Sequence, residues 1–411
     1  MRVLVYWEQD SWGGVDSHLL ELLSTWPQGH DEFVLMVNTG NAGFQRMKDQ
    51  FQALLHVKCV EVSSYSHNEL NRRCRGNGFL RPFAKLLHFV QPISYWFAIR
   101  SLQKHFQRQG TFDLLLADNG GYPAAWGTVC AIEAAARLGV RARIMLVHHA
   151  AISASPFMGV FERYVDGRMN RLLSAFVCVS NATRQMLLQH RWIDAARVPL
   201  RVIHNGMQRN QVVNTENALD IRKTIGAGPE IRLVGMVGRV ASYKGHEDVI
   251  FALARLTDQL RQKIRLVVVG PGVEPGDIEN LRRKAVSLKV HGQVDFMGYV
   301  EGRAVDVIAQ LDLLVVATRS FEGFGLTLME AISVGVPVLA STVGAIPEFV
   351  TAAVGALVPP NNPAAIAAAL AEFIEQPQIW SDRAQRAQEA FNRSTVDMAS
   401  EYRQLFVECL S

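Results

Sequence analysis

Residues 320–350, which read SFEGFGLTLMEAISVGVPVLASTVGAIPEFV, constrain the fold more than any other stretch of this 411-residue chain. Just before them, residues 311–317 form a short apolar run rich in branched side chains. That run predicts a strand buried on both faces of a parallel sheet. The loop that follows carries Gly323 and Gly325 on either side of Phe324, so its backbone can approach a ligand closely. Residues 326–334 then read as a short helix closed by Gly335, and a second strand runs from 336 to 340. Strand, glycine loop and helix N-terminus in that order aim unsatisfied backbone N–H groups and the positive end of a helix dipole at one point, which predicts an anion site with phosphate as occupant. Glu322 lies in the loop and Glu330 on the second helical turn, with seven residues between them. Carboxylates accept hydrogen bonds from sugar hydroxyls and repel a phosphate placed beside them. The pattern therefore calls for a ligand with hydroxyls at both ends and a phosphate bridge in the middle, such as a nucleotide-sugar.

The pair Glu322 and Glu330 around Gly-Phe-Gly, followed by Gly-Val-Pro-Val at 335–338 and Gly-Ala-Ile-Pro-Glu at 344–348, resembles the E-x7-E region of the family 4 retaining glycosyltransferases, which have the GT-B fold. The resemblance implies an α/β chain of two Rossmann-like, doubly wound domains facing a central cleft. It also implies transfer of a sugar from a nucleotide-sugar, UDP- or GDP-linked, to a hydroxyl acceptor with retention at the anomeric carbon. The length suits two domains, each able to bury its own core. The expected division is an acceptor-binding domain over 1–205, on which a C-terminal helix from about 386 to 411 packs back, and a donor-binding domain over 206–385.

Further signals follow in chain order. Gly13 and Gly14 stand at a strand-to-helix turn, and in the resembled family such a pair faces the donor diphosphate; the family often has a glutamate soon after it, where Asp16 stands nearby in this chain. Residues 71–108 carry Arg72, Arg73, Arg75, Arg81, Lys85, Arg100, Lys104 and Arg108 and no acidic residue, interleaved with large apolar side chains. Such a stretch fits either an anionic membrane surface or lipid-linked acceptor, or an apolar face on a sheet with a solvated basic face. Residues 113–117 predict a buried strand that ends in a loop over 118–121. A strand over 143–147 then delivers His148 and His149 to the sheet's carboxyl edge, where the family often has a histidine against the transferred sugar. In the second half, Gly238-Arg239 and Lys244-Gly245 put two cations five residues apart in a loop before a helix expected over 249–256. A leaving nucleoside diphosphate gains negative charge as the glycosidic bond breaks, and positioned cations stabilise that charge most when it is largest. Gly270 ends a further strand in a loop of the kind that holds a nucleotide base, and apolar residues at helical spacing over 391–406, Val396 among them, predict the last helix.

Absences narrow the chemistry. The sequence has no Asp-x-Asp, so no carboxylate pair of the usual kind to hold a metal on a diphosphate, and the expectation is a reaction without metal or cofactor. There is no G-x-G-x-x-G after the first strand and no G-x-x-x-x-G-K-[ST], which argues against a dehydrogenase and a P-loop enzyme. A net charge of +4 requires no nucleic acid, and five scattered cysteines read as reduced cytosolic thiols. With neither a signal peptide nor a long apolar run, the expected location is cytoplasmic, and the basic stretch 71–108 would allow a peripheral place on the inner face of the plasma membrane. The family resemblance implies a role in cell-surface polysaccharide or lipopolysaccharide biosynthesis. A nucleotide-sugar epimerase, a phosphorylase or a non-catalytic nucleotide-sugar-binding subunit on the same fold are the alternatives.

Overall fold

The computed structural model describes residues 1–10, 12–27, 29–76, 90–208, 219–391 and 393–411. The chain divides into two compact units, residues 1–206 with 395–411, and residues 207–394. Each is built on one parallel sheet.

In the first unit the strands are β1 (Arg2–Trp7), β2 (Glu32–Asn38), β3 (Val57–Val62), β4 (Leu114–Gly121), β5 (Ala142–His149), β6 (Ala175–Cys178) and β7 (Leu200–Val202), in the spatial order β3-β2-β1-β4-β5-β6-β7. In the second they are β8 (Arg232–Val237), β9 (Ile264–Val269), β10 (Val294–Gly298), β11 (Leu313–Val316), β12 (Val338–Ser341) and β13 (Ala356–Val358), in the order β10-β9-β8-β11-β12-β13. Both sheets are doubly wound α/β layers, as expected. The order reverses once in each, between β1 and β4 and between β8 and β11, and the crevice outside the carboxyl ends of those strands is where such sheets bind ligands. The apolar runs of β1, β4, β8 and β11 are buried because helices cover both faces.

Three expectations need correction. β4 does not stop at Ala117 but continues to Gly121, because Asp118, Asn119 and Gly121 stay in register with Leu146, Val147 and His149 of β5. Polar residues remain in this buried strand because partners satisfy them: the Asn119 amide donates to Thr128 Oγ1 at 2.9 Å. The helix expected over 249–256 is His246–Arg255, begun three residues earlier because Gly245 caps it in the left-handed conformation. The C-terminal assignment from 386 splits. The helix Pro377–Ala390 belongs to the second unit, where Trp380 is fully buried edge-on against Phe373, and Gln388 donates to the Ser333 carbonyl at 2.9 Å. Only Thr395–Leu410 belongs with the first unit. There Met398, Tyr402 and Phe406 are buried, while Val396 points to solvent.

Candidate active site

In the second unit two loops meet at the β8/β11 reversal. The loop after β8 passes Gly238 and Arg239, makes a single 3₁₀ turn at Ser242–Lys244 and reaches Gly245, whose φ is +74°. A Cβ at Gly245 would lie 2.0 Å from the carbonyl oxygen of Ala317, just past β11, so a residue without a side chain is needed for the two loops to touch. Lys244 Nζ lies 2.6 Å from Glu322 Oε2, and Thr318 Oγ1 donates to the same oxygen at 3.3 Å. Both charged side chains are only partly exposed. The sequence-predicted cation and carboxylate, 78 positions apart, thus form one ion pair. Arg239 is half-buried, its Nη2 3.4 Å from the Tyr243 hydroxyl. Gly270, after β9, donates its N–H to the Gly298 carbonyl at 2.7 Å, and the Gly238 N–H goes to Val269 at 2.8 Å, so backbone bonds tie the two glycine turns to the strand ends.

The Glu322 loop is pinned from its other side. Its carbonyl accepts the Ala345 N–H at 2.8 Å, and a Cβ on Gly344, at φ +53°, would come within 2.2 Å of that carbonyl oxygen. Gly323, Phe324 and Gly325 are buried; the Phe324 ring turns inward, edge-on to Phe349 at 4.7 Å, so the backbone of this residue is what it can offer a ligand. Gly325, at φ +87°, stands at the N-cap of the helix Leu326–Ser333, and no side chain caps that first turn. Glu330 projects from the same helix, half-buried. An uncapped helix N-terminus beside a lysine and two carboxylates can bind a phosphate and hydroxyls together.

Sequence reasoning missed Arg319. Its guanidinium takes both carboxylate oxygens of Asp248 at 2.7 Å each and reaches Glu247 at 3.4 Å, while its backbone N–H donates to the Tyr243 carbonyl at 2.7 Å. This residue ties the β11 loop to the lysine turn and to the first turn of His246–Arg255. The available signal was an arginine directly after a buried strand, with adjacent acids opening another helix. His246 was missed as well: it is buried, and burial first and the Lys244 charge second pull its pKa down to about 4.

In the first unit, Gly13 is the N-cap of the helix Gly14–Ser24. Asp16 is buried, accepts the Gly13 N–H at 2.8 Å and a bond from Gln9 at 2.6 Å, and is raised to about 6 by that burial, so its carboxylate is engaged within the loop. His148 is buried at the end of β5, its Nε2 2.8 Å from Asp118 Oδ1, and its ring meets His18 edge-on at 4.7 Å. Burial, and then His148, lower the pKa of His18 well below the usual range. Neither Asp118 nor His18 was singled out in the sequence. His149 ends the same strand and is exposed. Of the basic stretch, Arg72 pairs with Asp10 and donates to the Thr39 carbonyl, and Arg73 pairs with Glu69 at 2.5 Å. Arg75 is exposed, and Arg81 and Lys85 lie outside the described residues.

Both halves of the chain resemble known proteins. Residues 12–211 match the family model described as Glycosyltransferase Family 4, and residues 218–393 the model described as Glycosyl transferases group 1. A D-inositol 3-phosphate glycosyltransferase of Streptomyces avermitilis is 27% identical over 66% of this chain and 60% of its own. The lipopolysaccharide core biosynthesis mannosyltransferase LpsB of Rhizobium meliloti is 31% identical over 38% of this chain and 44% of its own. The chain thus spans 60% and 44% of the length of these two curated relatives. Among solved structures, Anabaena HepE in complex with UDP and glucose superposes with a TM-score of 0.73 at 18% identity, covering 99% of this chain and 100% of that one, a likeness of fold. Among the described residues, no helix is long and apolar enough to cross a membrane.

Proposed function

Because this chain belongs to the family 4 glycosyltransferases, we propose that it moves a sugar from a nucleotide-sugar to a hydroxyl acceptor, with retention and without a metal ion. The observation that carries the reading is the meeting, at the β8/β11 reversal, of the Lys244–Glu322 pair with the uncapped N-terminus of Leu326–Ser333. A diphosphate entering there gains Lys244 and Arg239 as counter-charges and the helix N-terminus as a hydrogen-bond donor. Lys244, already held by Glu322, needs little reorganisation to meet the charge that grows as the sugar–phosphate bond lengthens. Glu322 is assigned to hydroxyls of the transferred sugar and Glu330 to the nucleotide ribose, while the backbone from Gly323 to Leu326 and the turns at Gly238 and Gly270 serve the diphosphate and base. In the first unit, the family resemblance assigns Gly13 and Gly14 to the diphosphate and His148 and His149 to the sugar.

In the reaction, the acceptor oxygen bonds to the anomeric carbon on the face the diphosphate leaves. The bond to the diphosphate oxygen breaks, and that oxygen takes the acceptor's proton. The UDP and glucose in the Anabaena neighbour support a donor of this class. A relative named for lipopolysaccharide core biosynthesis supports a glycan or lipid-linked glycan as acceptor.

The test uses purified protein with chelator present, titrated separately with UDP-, GDP- and ADP-sugars. One donor is expected to bind and be slowly hydrolysed. Lys244→Ala is expected to lower turnover of that donor about 10²- to 10³-fold while weakening the free nucleotide far less. Equal losses would remove the transition-state role of Lys244, donor epimerisation without an acceptor would favour an epimerase, and silence across the panel would count against the transferase reading.

A further inference from the structure

The helix Gln91–Arg108 has two faces of different character. Its inner face, with Tyr95, Ala98, Ile99, Leu102 and Phe106, is buried in the first unit's core. On the outer face Ile93 and Phe97 are 58% and 63% exposed, and Arg100 and Lys104 follow one and two turns later, both exposed. With Tyr65 and Leu70, which follow β3, these four line a groove of about 710 Å³ that has no carboxylate among its described lining residues. Large apolar side chains left in water beside cations with no opposing acid mark a binding surface.

The groove has a direction. Ser101 Oγ donates to the carbonyl of Ser63 at 3.1 Å, and Ser63 is the first residue past β3, so Arg100 and Lys104 are level with the carboxyl edge of the sheet. Ile93 stands eight residues before Ser101, about 12 Å further out at 1.5 Å per residue. The cationic end therefore lies at the ligand-binding edge of the sheet, and the apolar end points away from it.

We propose that this groove holds one anionic lipid, a hydrocarbon chain ending in phosphate or diphosphate, with the phosphate on Arg100 and Lys104 and the chain along Phe97 and Ile93. Calling that lipid the acceptor, with its sugar end turned toward the sheet edge, rests on the transferase reading above. Charge complementarity selects the occupant: a neutral lipid or apolar peptide has no use for two cations, and inorganic phosphate none for Ile93 and Phe97.

The test is calorimetric titration of the full chain with dodecyl phosphate below its micelle concentration, and in parallel with octaethylene glycol monododecyl ether and inorganic phosphate. Dodecyl phosphate is expected to bind one to one, the neutral ether about tenfold or more weakly, and inorganic phosphate not measurably. The double variant Arg100→Gln/Lys104→Gln is expected to lose about tenfold toward dodecyl phosphate and nothing toward the neutral ether. Phe97→Asp, with Ile93→Ser as the milder second variant, is expected to lose both lipids. These side chains are exposed, and far-UV circular dichroism together with UDP titration checks that each variant stays folded. Equal affinity for charged and neutral heads, or variants that bind like the parent, would overturn the proposal. So would retention by vesicles containing anionic phospholipid without any binding of monomeric dodecyl phosphate, which would indicate a bilayer-docking face instead. Nucleotide titrations on the same samples separate the two readings: nucleotide binding without lipid binding overturns the groove alone, and lipid binding without any nucleotide supports the groove and removes the transferase reading.

Discussion

Lys244 and Glu322 pair at 2.6 Å in a partly buried position, and the His246 ring, directly after the lysine turn, is buried and next to the lysine's charge. His246 stays neutral in the fold down to about pH 4, where the same group in an unfolded chain titrates near 6.5. Below 6.5 the unfolded chain therefore binds the extra proton, and the stability His246 contributes is present above that pH and lost as the pH falls toward 4. His246→Gln is expected to flatten this acid limb, measured as urea midpoints of the second unit between pH 7 and pH 4. An unchanged limb would mean that other groups carry it. At this scale the sequence was informative about identities and silent about pairings. Lys244 and Glu322 were each legible from local motifs, whereas their contact, the Arg319 clamp and the His18–His148–Asp118 cluster depend on residues that only folding brings together.

Among the elements, the loops after β8 and β11 matter most, and their shape is set by close backbone contact. Gly344 lies in the loop after β12, in the left-handed region, with no room for a methyl group against the Glu322 carbonyl. Gly344→Ala is expected to cost about 2 kcal/mol or more, from the left-handed backbone and the clash together. Hydrogen exchange should show the loss over residues 338–349, and donor affinity should fall because Glu322 is displaced. Wild-type exchange there would show that the loop shifts without strain. Apolar runs made most strands readable. β4 was cut short because Asp118 and Asn119 look like loop residues until their buried partners are known.

In the molecule as a whole, the last helix completes the first unit from the far end of the sequence. Phe406 packs on Trp26 with ring centroids 5.3 Å apart, and Arg403 reaches Asp31 at 3.0 Å, the carboxylate that also holds the chain's first amino group at 2.7 Å. Burial opposes the ionised form of Asp31, yet its bonds to that amino group, Trp26 and Arg403 hold its pKa below the usual value. Phe406→Ala is expected to destabilise this unit by about 3 to 5 kcal/mol. Hydrogen exchange should speed up in the helix Gly14–Ser24 and in β2 while β8–β13 keep their protection; uniform loss across both sheets would mean that the two units unfold together.

By itself the sequence determined the class of fold and the place of the glycine loops after β8 and β11, because both are written in local patterns. Buried strands announce themselves as apolar runs, and a phosphate site on a helix N-terminus needs only a glycine loop at the right place in the chain. Tertiary structure alone decided which charges pair, which of the arginines over 71–108 are committed to carboxylates and which face a groove, and that residues 377–390 stay with the second unit while 395–410 join the first. These outcomes turn on distances between residues far apart in the chain, and burial converts such distances into pKa shifts and ion pairs that no local window contains.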